Sequence, residues 1–258
     1  MVRTRPGHAR SDVHRARSAG PLRLLTPRAA GNAAWIVTSS LGGGLVDGDE
    51  VELELEVDRD ATCVVATQAS TKAFRGRSYQ TLRARVAAGG ALLVVPDPLV
   101  AFRDASVRQH TRLELAATAD LVLVDIVTAG RLAHGERWDC ARLDTQLTIV
   151  RDGATRLHDR ILLDRADGPI AARMQRFVAL ATCVVEGPRV ANHAAAILEH
   201  VRGAPFSDRE LVIVASPFGA GVVIRIAGTS IERVISTLRA RVLPACTVLG
   251  EDPWARKW

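Results

Sequence analysis

From Val51 to Val57 the chain reads VELELEV, apolar and acidic residues alternating without a break. At a side-chain period of two, this puts the apolar residues on one face and the glutamates on the other, the pattern of a β-strand with one buried and one wet face. Gly42-Gly43-Gly44 and Asp47-Gly48-Asp49 precede it. Glycine reaches φ > 0 without a Cβ penalty and aspartate caps its own turn, so a tight reversal is predicted ahead of the strand.

Similar runs recur at Ala33–Thr38, Cys63–Thr67, Tyr79–Val86, Ala91–Val95, Val107–Leu115, Leu121–Val127, Arg142–Val150 and Arg156–Leu163, with more near Phe177–Val185, Leu211–Ala215 and Val222–Ile226. So many strands with so few helices between them exclude an alternating α/β chain. Asp-Gly pairs at Asp47-Gly48, Asp152-Gly153 and Asp167-Gly168 suit type I′ hairpin turns, and the clearest hairpin joins Thr145–Val150 to Thr155–Leu163. No fixed repeat period is visible, so the pattern leaves a sandwich and a β-helix both open.

Two helices are predicted in the C-terminal third. Val190, Ala194, Ile197, Leu198 and Val201 form an apolar stripe that ends at Gly203, a candidate left-handed terminator. Thr229-x-x-Glu232 has capping-box spacing, and Ile231, Val234, Ile235, Leu238 and Val242 follow as a second stripe. At 258 residues one all-β domain over residues 21–258 is expected, with residues 1–20, which carry Arg3, Arg5, Arg10, Arg15 and Arg17, as an unstructured basic arm.

The net charge of +6 does not make this a nucleic-acid module: acids are interspersed with bases, and aromatic residues for stacking are 4% of the chain. The cysteines Cys63, Cys140, Cys183 and Cys246 are widely separated and lack CxxC spacing, so buried reduced thiols are expected. No apolar run approaches the roughly 18 residues of a membrane helix. A soluble, cytoplasmic protein without membrane or nucleic-acid partners is expected.

Signals for enzymatic chemistry are missing. The glycine run ends in no Gly-Lys-Ser/Thr and leads into a strand rather than a helix, which excludes a P-loop and a dinucleotide fingerprint. There is no GxSxG and no HExxH, and His193 and His200, seven residues apart, are too far separated along a helix for one ion. Asp97 and Asp104, flanking Phe102, would supply the paired carboxylates of a β-helical carbohydrate-active enzyme, the alternative function. Lys72 is one of only two lysines and follows Gln68 and two hydroxyl residues, which makes it the foremost candidate for a functional charge.

The order GGGLVDGD, then TQASTK at Thr67–Lys72, then the Pro96-Asp97-Pro98 segment running to Phe102, then Gly130-Arg131 with Gly135-Glu136, closely resembles the urease accessory protein UreD (UreH) family over roughly residues 21–165. Residues 1–20 depart from it, lacking a clear first strand. The resemblance implies a strand-rich, β-helix-like body with two helices and a non-enzymatic maturation scaffold. Such a scaffold would bind apo-urease and a UreF-like partner, recruit a UreG-like GTPase through that partner, and assist nickel insertion, with an internal channel as one route. It implies transient nickel and no firmly bound cofactor or metal site. It marks Asp49, Gln68, Thr71, Lys72, Arg131 and Glu136 for the nickel route or a partner contact, and Gly42, Gly43, Gly44, Asp47, Gly48, Pro96 and Pro98 for turns. Polar faces carrying His193, His200, Arg233 and Arg241 are the expected partner contacts of the two helices.

Overall fold

The computed structural model of the chain describes residues 2–6, 10–28, 31–203 and 209–255. It begins with β1 (Val2–Pro6), β2 (Ser11–Ala16), β3 (Leu22–Leu25) and β4 (Ala34–Ser40). The central body is β5 (Glu50–Val57), β6 (Thr62–Thr67), β7 (Thr71–Ala73), β8 (Gly76–Val86), β9 (Ala91–Val94), β10 (Leu99–Ala101), β11 (Ala105–Leu115) and β12 (Asp120–Thr128). The hairpin β13 (Arg142–Arg151) and β14 (Ala154–Asp164) follows, then a short helix α1 (Ile170–Met174) and β15 (Ala179–Glu186). The chain continues with α2 (Ala191–Gly203), β16 (Leu211–Phe218), β17 (Gly221–Gly228) and α3 (Ile231–Val248).

From β4 to β13 successive long strands alternate between two sheets, so the chain winds as a β-helix. One sheet has the order β14-β13-β11-β8-β5-β1-β2 and the other β16-β17-β15-β12-β9-β6-β4-β3. Ala34 pairs in parallel with Cys63, Cys63 with Leu92, and Leu92 with Leu121. Each partner lies one coil further on, the same 29-residue step that separates Gln80 from Gln109 in the facing sheet. A fixed period therefore exists, contrary to the sequence expectation. It escapes notice because stacked positions share burial rather than identity, and because the loop Gly130–Glu136 lengthens the coil before β13. The short strands β7, β10 and the end of β12 form a third side.

Burial explains which strands alternate. In β5, Leu53, Leu55 and Val57 face the other sheet while Glu52 and Glu54 face solvent. All of Ala91–Val94 is buried, because that sheet is covered on its inner side by the facing sheet and on its outer side by α2 and α3. Two clusters fill the inter-sheet space, and a third lies beneath the helices, where Val64, Leu93 and Val124 meet Ala194, Ile197, Val234 and Leu238.

Several local expectations are corrected. Most of the described part of the N-terminal arm is strand: β1 pairs with β2, the edge strand of this sheet, and lies parallel to β5 on its other side. Edge pairing of this kind uses backbone groups and needs no apolar pattern. A third helix, α1, joins the two predicted ones. The N-cap of α3 is Ser230, whose hydroxyl accepts from the Arg233 N–H, rather than Thr229. α2 runs through Gly203 instead of stopping before it. Of the three Asp-Gly pairs only Asp152-Gly153, with φ of 50° and 76°, has the two positive dihedrals of a type I′ hairpin. Asp47-Gly48 forms a reversal in which Asp49 N–H donates to Val46 O with only Gly48 at positive φ, a type II arrangement.

Candidate functional site

The segment TQASTK forms the corner between β6 and β7. Gln68 and Lys72 are exposed there, with Thr67, Ser70 and Thr71 half-buried. The corner is tied to the next coil: Thr67 Oγ1 accepts from Asp97 N–H at 2.8 Å and donates to Asp97 Oδ2 at 3.4 Å. Pro96 and Pro98 hold Asp97 in that position by fixing φ on either side.

Beneath the corner a cavity of about 400 Å³ opens between the two sheets. Its exposed lining residues are Gly43, Gln68, Ala69 and Lys72, which define the mouth; Thr71, Ser39, Ser40 and Pro96 lie beside them. The wall is largely apolar, with Leu53, Leu82, Leu99 and Leu147. Crossing it is one polar chain. Gln80 Nε2 donates to Gln109 Oε1 one coil away, and Gln109 Nε2 donates across the sheets to Asp125 Oδ2 at 2.9 Å. Burial pushes the Asp125 carboxyl above its usual range, the Gln109 hydrogen bond opposes this, and the nearby Asp159 charge reinforces it.

The glycine turn frames the mouth. Leu45 N–H donates to Lys72 O at 2.7 Å and Phe74 N–H donates to Leu45 O at 2.8 Å, which lays the turn on β7 as one further rung. A Cβ at Gly44 would stand 2.4 Å from Lys72 O, so this contact requires glycine. The turn's carboxylates are both engaged: Asp47 Oδ1 accepts from Arg77 N–H at 2.7 Å and Asp49 Oδ2 from Val46 N–H at 2.8 Å.

Arg131 and Glu136 do not line the cavity. Glu136, 3% exposed, is paired with Arg131, and that hydrogen bond holds its carboxyl below the usual range. The Arg131 guanidinium lies 4.4 Å from the centroid of the Phe102 ring, which meets Phe74 edge-on at 5.2 Å. This stack braces the loop before β13 against β10. On the helices, Arg233 is exposed and ion-paired with Glu210, Arg241 and His193 are half-buried, and His200 is exposed. His193 and His200 stand on α2 while both arginines stand on α3, so the structure distributes these four residues over two elements.

Asp97 and Asp104 sit at opposite ends of β10, the first bonded to Thr67 and the second to Arg165 Nη1 at 2.8 Å. They do not face one another across a cleft, and the motif behind the carbohydrate-active alternative is gone. Among the described residues no group of three or more His, Cys, Asp and Glu is arranged to hold a metal ion. No described helix is long and apolar enough to cross a membrane. Sequence reasoning missed Gln80, Gln109 and Asp125. A signal existed for the glutamines: in β8 and β11 they share an inward face with Leu82, Ala84, Val86, Val107 and Leu113, where the other polar residues are the small Ser78 and Thr111.

The model of the UreD urease accessory protein family matches residues 1–258. A urease accessory protein UreD of Sorangium cellulosum (strain So ce56) is 46% identical, over 96% of this chain and 80% of its own length. One from Anaeromyxobacter sp. (strain Fw109-5) is 40% identical over 99% and 91%, and urease accessory protein D of Arabidopsis thaliana is 32% identical over 91% and 92%. With a β-helix whose marked corner opens onto an internal cavity and a match that spans every coil, the chain belongs to the UreD urease accessory protein family, whose general role is urease maturation.

Proposed function

We propose that this protein is a non-enzymatic cytoplasmic scaffold that binds apo-urease and a UreF-like partner, brings in a UreG-like GTPase through that partner, and passes nickel to urease through its inter-sheet cavity. The observation that carries this reading is the cavity beneath Thr67–Lys72, with a polar chain of two glutamines and one buried carboxyl in an apolar wall. A divalent ion with about six waters occupies roughly 180 Å³, taking about 30 Å³ per water, which is less than the volume of the cavity. Amide and hydroxyl oxygens are weak donors for nickel beside imidazole or thiolate, and weak donors suit a cargo that has to leave again. Lys72 is a poor lining for a cation and, exposed at the rim, is placed to meet an acidic group of a partner; Gln68 and Thr71 take the lining role.

The test fills the cavity. Thr111→Trp, on its inner wall, should abolish urease activation in cells that express urease and its accessory proteins, while the thermal midpoint and partner capture stay near those of the parent. Lys72→Ala should instead weaken capture of apo-urease or the UreF-like partner. Full activation by the soluble, partner-competent Thr111→Trp protein would refute the nickel route.

A further inference from the structure

The inter-sheet space holds two apolar cores and a polar band between them. One core gathers Leu55, Leu92, Leu113 and Leu121, the other Leu99, Val107, Trp138 and Leu143. Gln80, Gln109 and Asp125 belong to the band, and it continues beyond the cavity. Asp125 on β12 pairs with Thr182 on β15, and Thr182 pairs with Arg225 on β17, so the three side chains leave one sheet face in a row. In the facing sheet Leu147, which lines the cavity, pairs with Asp159 on the edge strand β14. Arg225 Nη2 donates to Asp159 Oδ1 at 2.9 Å, joining the sheets at their lateral edge, with side chains 45% and 19% exposed. Thr182, between this pair and Asp125, is 6% exposed.

Stability alone does not account for this arrangement. An exposed ion pair contributes at most about 1 kcal/mol, and an apolar residue at the Thr182 or Arg225 position would bury more surface by joining the two cores. Thr182, Asp159 and Arg225 do not line the cavity itself; the band runs on from its wall at Asp125 to a paired arginine at the surface, the form of a path that is closed at that end.

We propose that the Arg225–Asp159 pair closes a second, lateral mouth of the cavity, so that the path has an entrance at Gln68–Lys72 and an exit whose charge selects what passes. The proposal rests on the cavity being the nickel route. With Arg225 seated, its guanidinium repels a cation at Thr182; a divalent cation arriving there competes for Asp159, and the long arginine side chain swings to solvent without disturbing the strands.

The experiment uses the full chain with Thr182→Cys as a probe. The native thiols are all buried, with Cys140 and Cys246 pushed by burial to about 11 and about 12, so they contribute little background. Modification by a small trimethylammonium methanethiosulfonate should be slow in Thr182→Cys alone. Adding Arg225→Ala should accelerate it on the order of tenfold, the effect of removing one like charge beside the path, and should accelerate a sulfonate reagent of the same size much less. Arg225→Lys should keep the slow rate. Equal cation and anion rates unchanged by Arg225→Ala overturn the lateral mouth.

Thr111→Trp separates the two ideas. If it blocks labelling while Arg225→Ala does nothing, reagent enters only past Lys72, and the lateral mouth falls while the cavity route stands. If Arg225→Ala accelerates labelling but Thr111→Trp leaves urease activation intact, the lateral mouth stands and the nickel reading falls. Circular dichroism and thermal midpoints of each variant confirm that the rates describe folded protein.

Discussion

Asp144→Asn is the most demanding test of how the cavity's outer wall is held. Asp144 lies on β13, pointing away from the cavity, and is fully buried although it stands on the solvent side of its sheet. Arginines roof it: Arg160 donates from Nε at 2.8 Å and Nη2 at 2.9 Å, Arg142 from Nη2 at 3.0 Å, and Arg108 Nε lies at 3.5 Å. These side chains tie together β11, β13 and β14. Asparagine keeps the volume but removes the charge and turns an amide donor toward guanidinium donors. Deleting one partner of a buried pair costs roughly 3–5 kcal/mol. The arginine side chains are 32–42% exposed and can recover water, which lowers the expected loss to about 2 kcal/mol.

At a urea m-value of about 3 kcal/mol/M for a chain of this size, that is a midpoint shift of roughly 0.7 M with m unchanged. Glu114→Gln, which loosens the exposed pairs with Arg85 and Arg112, serves as the control and should cost under about 1 kcal/mol. The pH dependence has a definite sign. The arginine hydrogen bonds hold the Asp144 carboxyl well below its usual range, so its stabilisation is complete above the ordinary aspartate value near 4 and is lost as pH falls through the lowered value of the folded state. The gap between parent and Asp144→Asn should therefore be constant from neutral pH to about 5 and shrink in stronger acid. Coincident midpoints at pH 7, or an equal cost for Glu114→Gln, would refute the reasoning.

Gly44→Ala should cost roughly 2–3 kcal/mol and lower soluble yield, because its Cβ meets Lys72 O in a turn fixed by two backbone hydrogen bonds; Gly43→Ala, with open space but φ of +77°, should cost only about 1 kcal/mol of backbone strain, and equal thermal midpoints for the pair would contradict the close approach. Arg233→Glu with Arg241→Glu should weaken pull-down of a UreF-like partner, whereas Arg59→Glu in the β5–β6 turn should not. Since Arg233 is paired with Glu210, Glu210→Ala should leave capture intact if the partner and not the ion pair is what matters.

What the sequence discloses follows from which groups carry the information. VELELEV announces β5 because one face is wet, and the apolar stripes of α2 and α3 announce helices because only one side of each meets the sheet. β1 is held by backbone hydrogen bonds to β2 and β5, which leave no trace in side-chain pattern. The coil period is hidden for a related reason: Ala34, Cys63, Leu92 and Leu121 occupy equivalent positions and have only their burial in common. At the candidate site the exposed corner is local and therefore conspicuous, a run of small polar residues ending in lysine. The interior chain of Gln80, Gln109 and Asp125 is assembled from three strands and two sheets, and no local spacing encodes it.

The sheet that carries β4, β6, β9 and β12 is apolar on its outer face, and what covers that face comes last in the chain. Trp35, Val64, Leu93 and Val124 are complete and stacked once the coils have formed, yet Ile197, Val234 and Leu238 lie in α2 and α3. On the ribosome, at about 5–20 residues per second, the coils thus wait several seconds with a bare apolar sheet before residues 191–248 emerge to cover it. During that interval the nascent chain is a client for holding chaperones, and a message truncated before α3 would yield a sticky product rather than a partly active one.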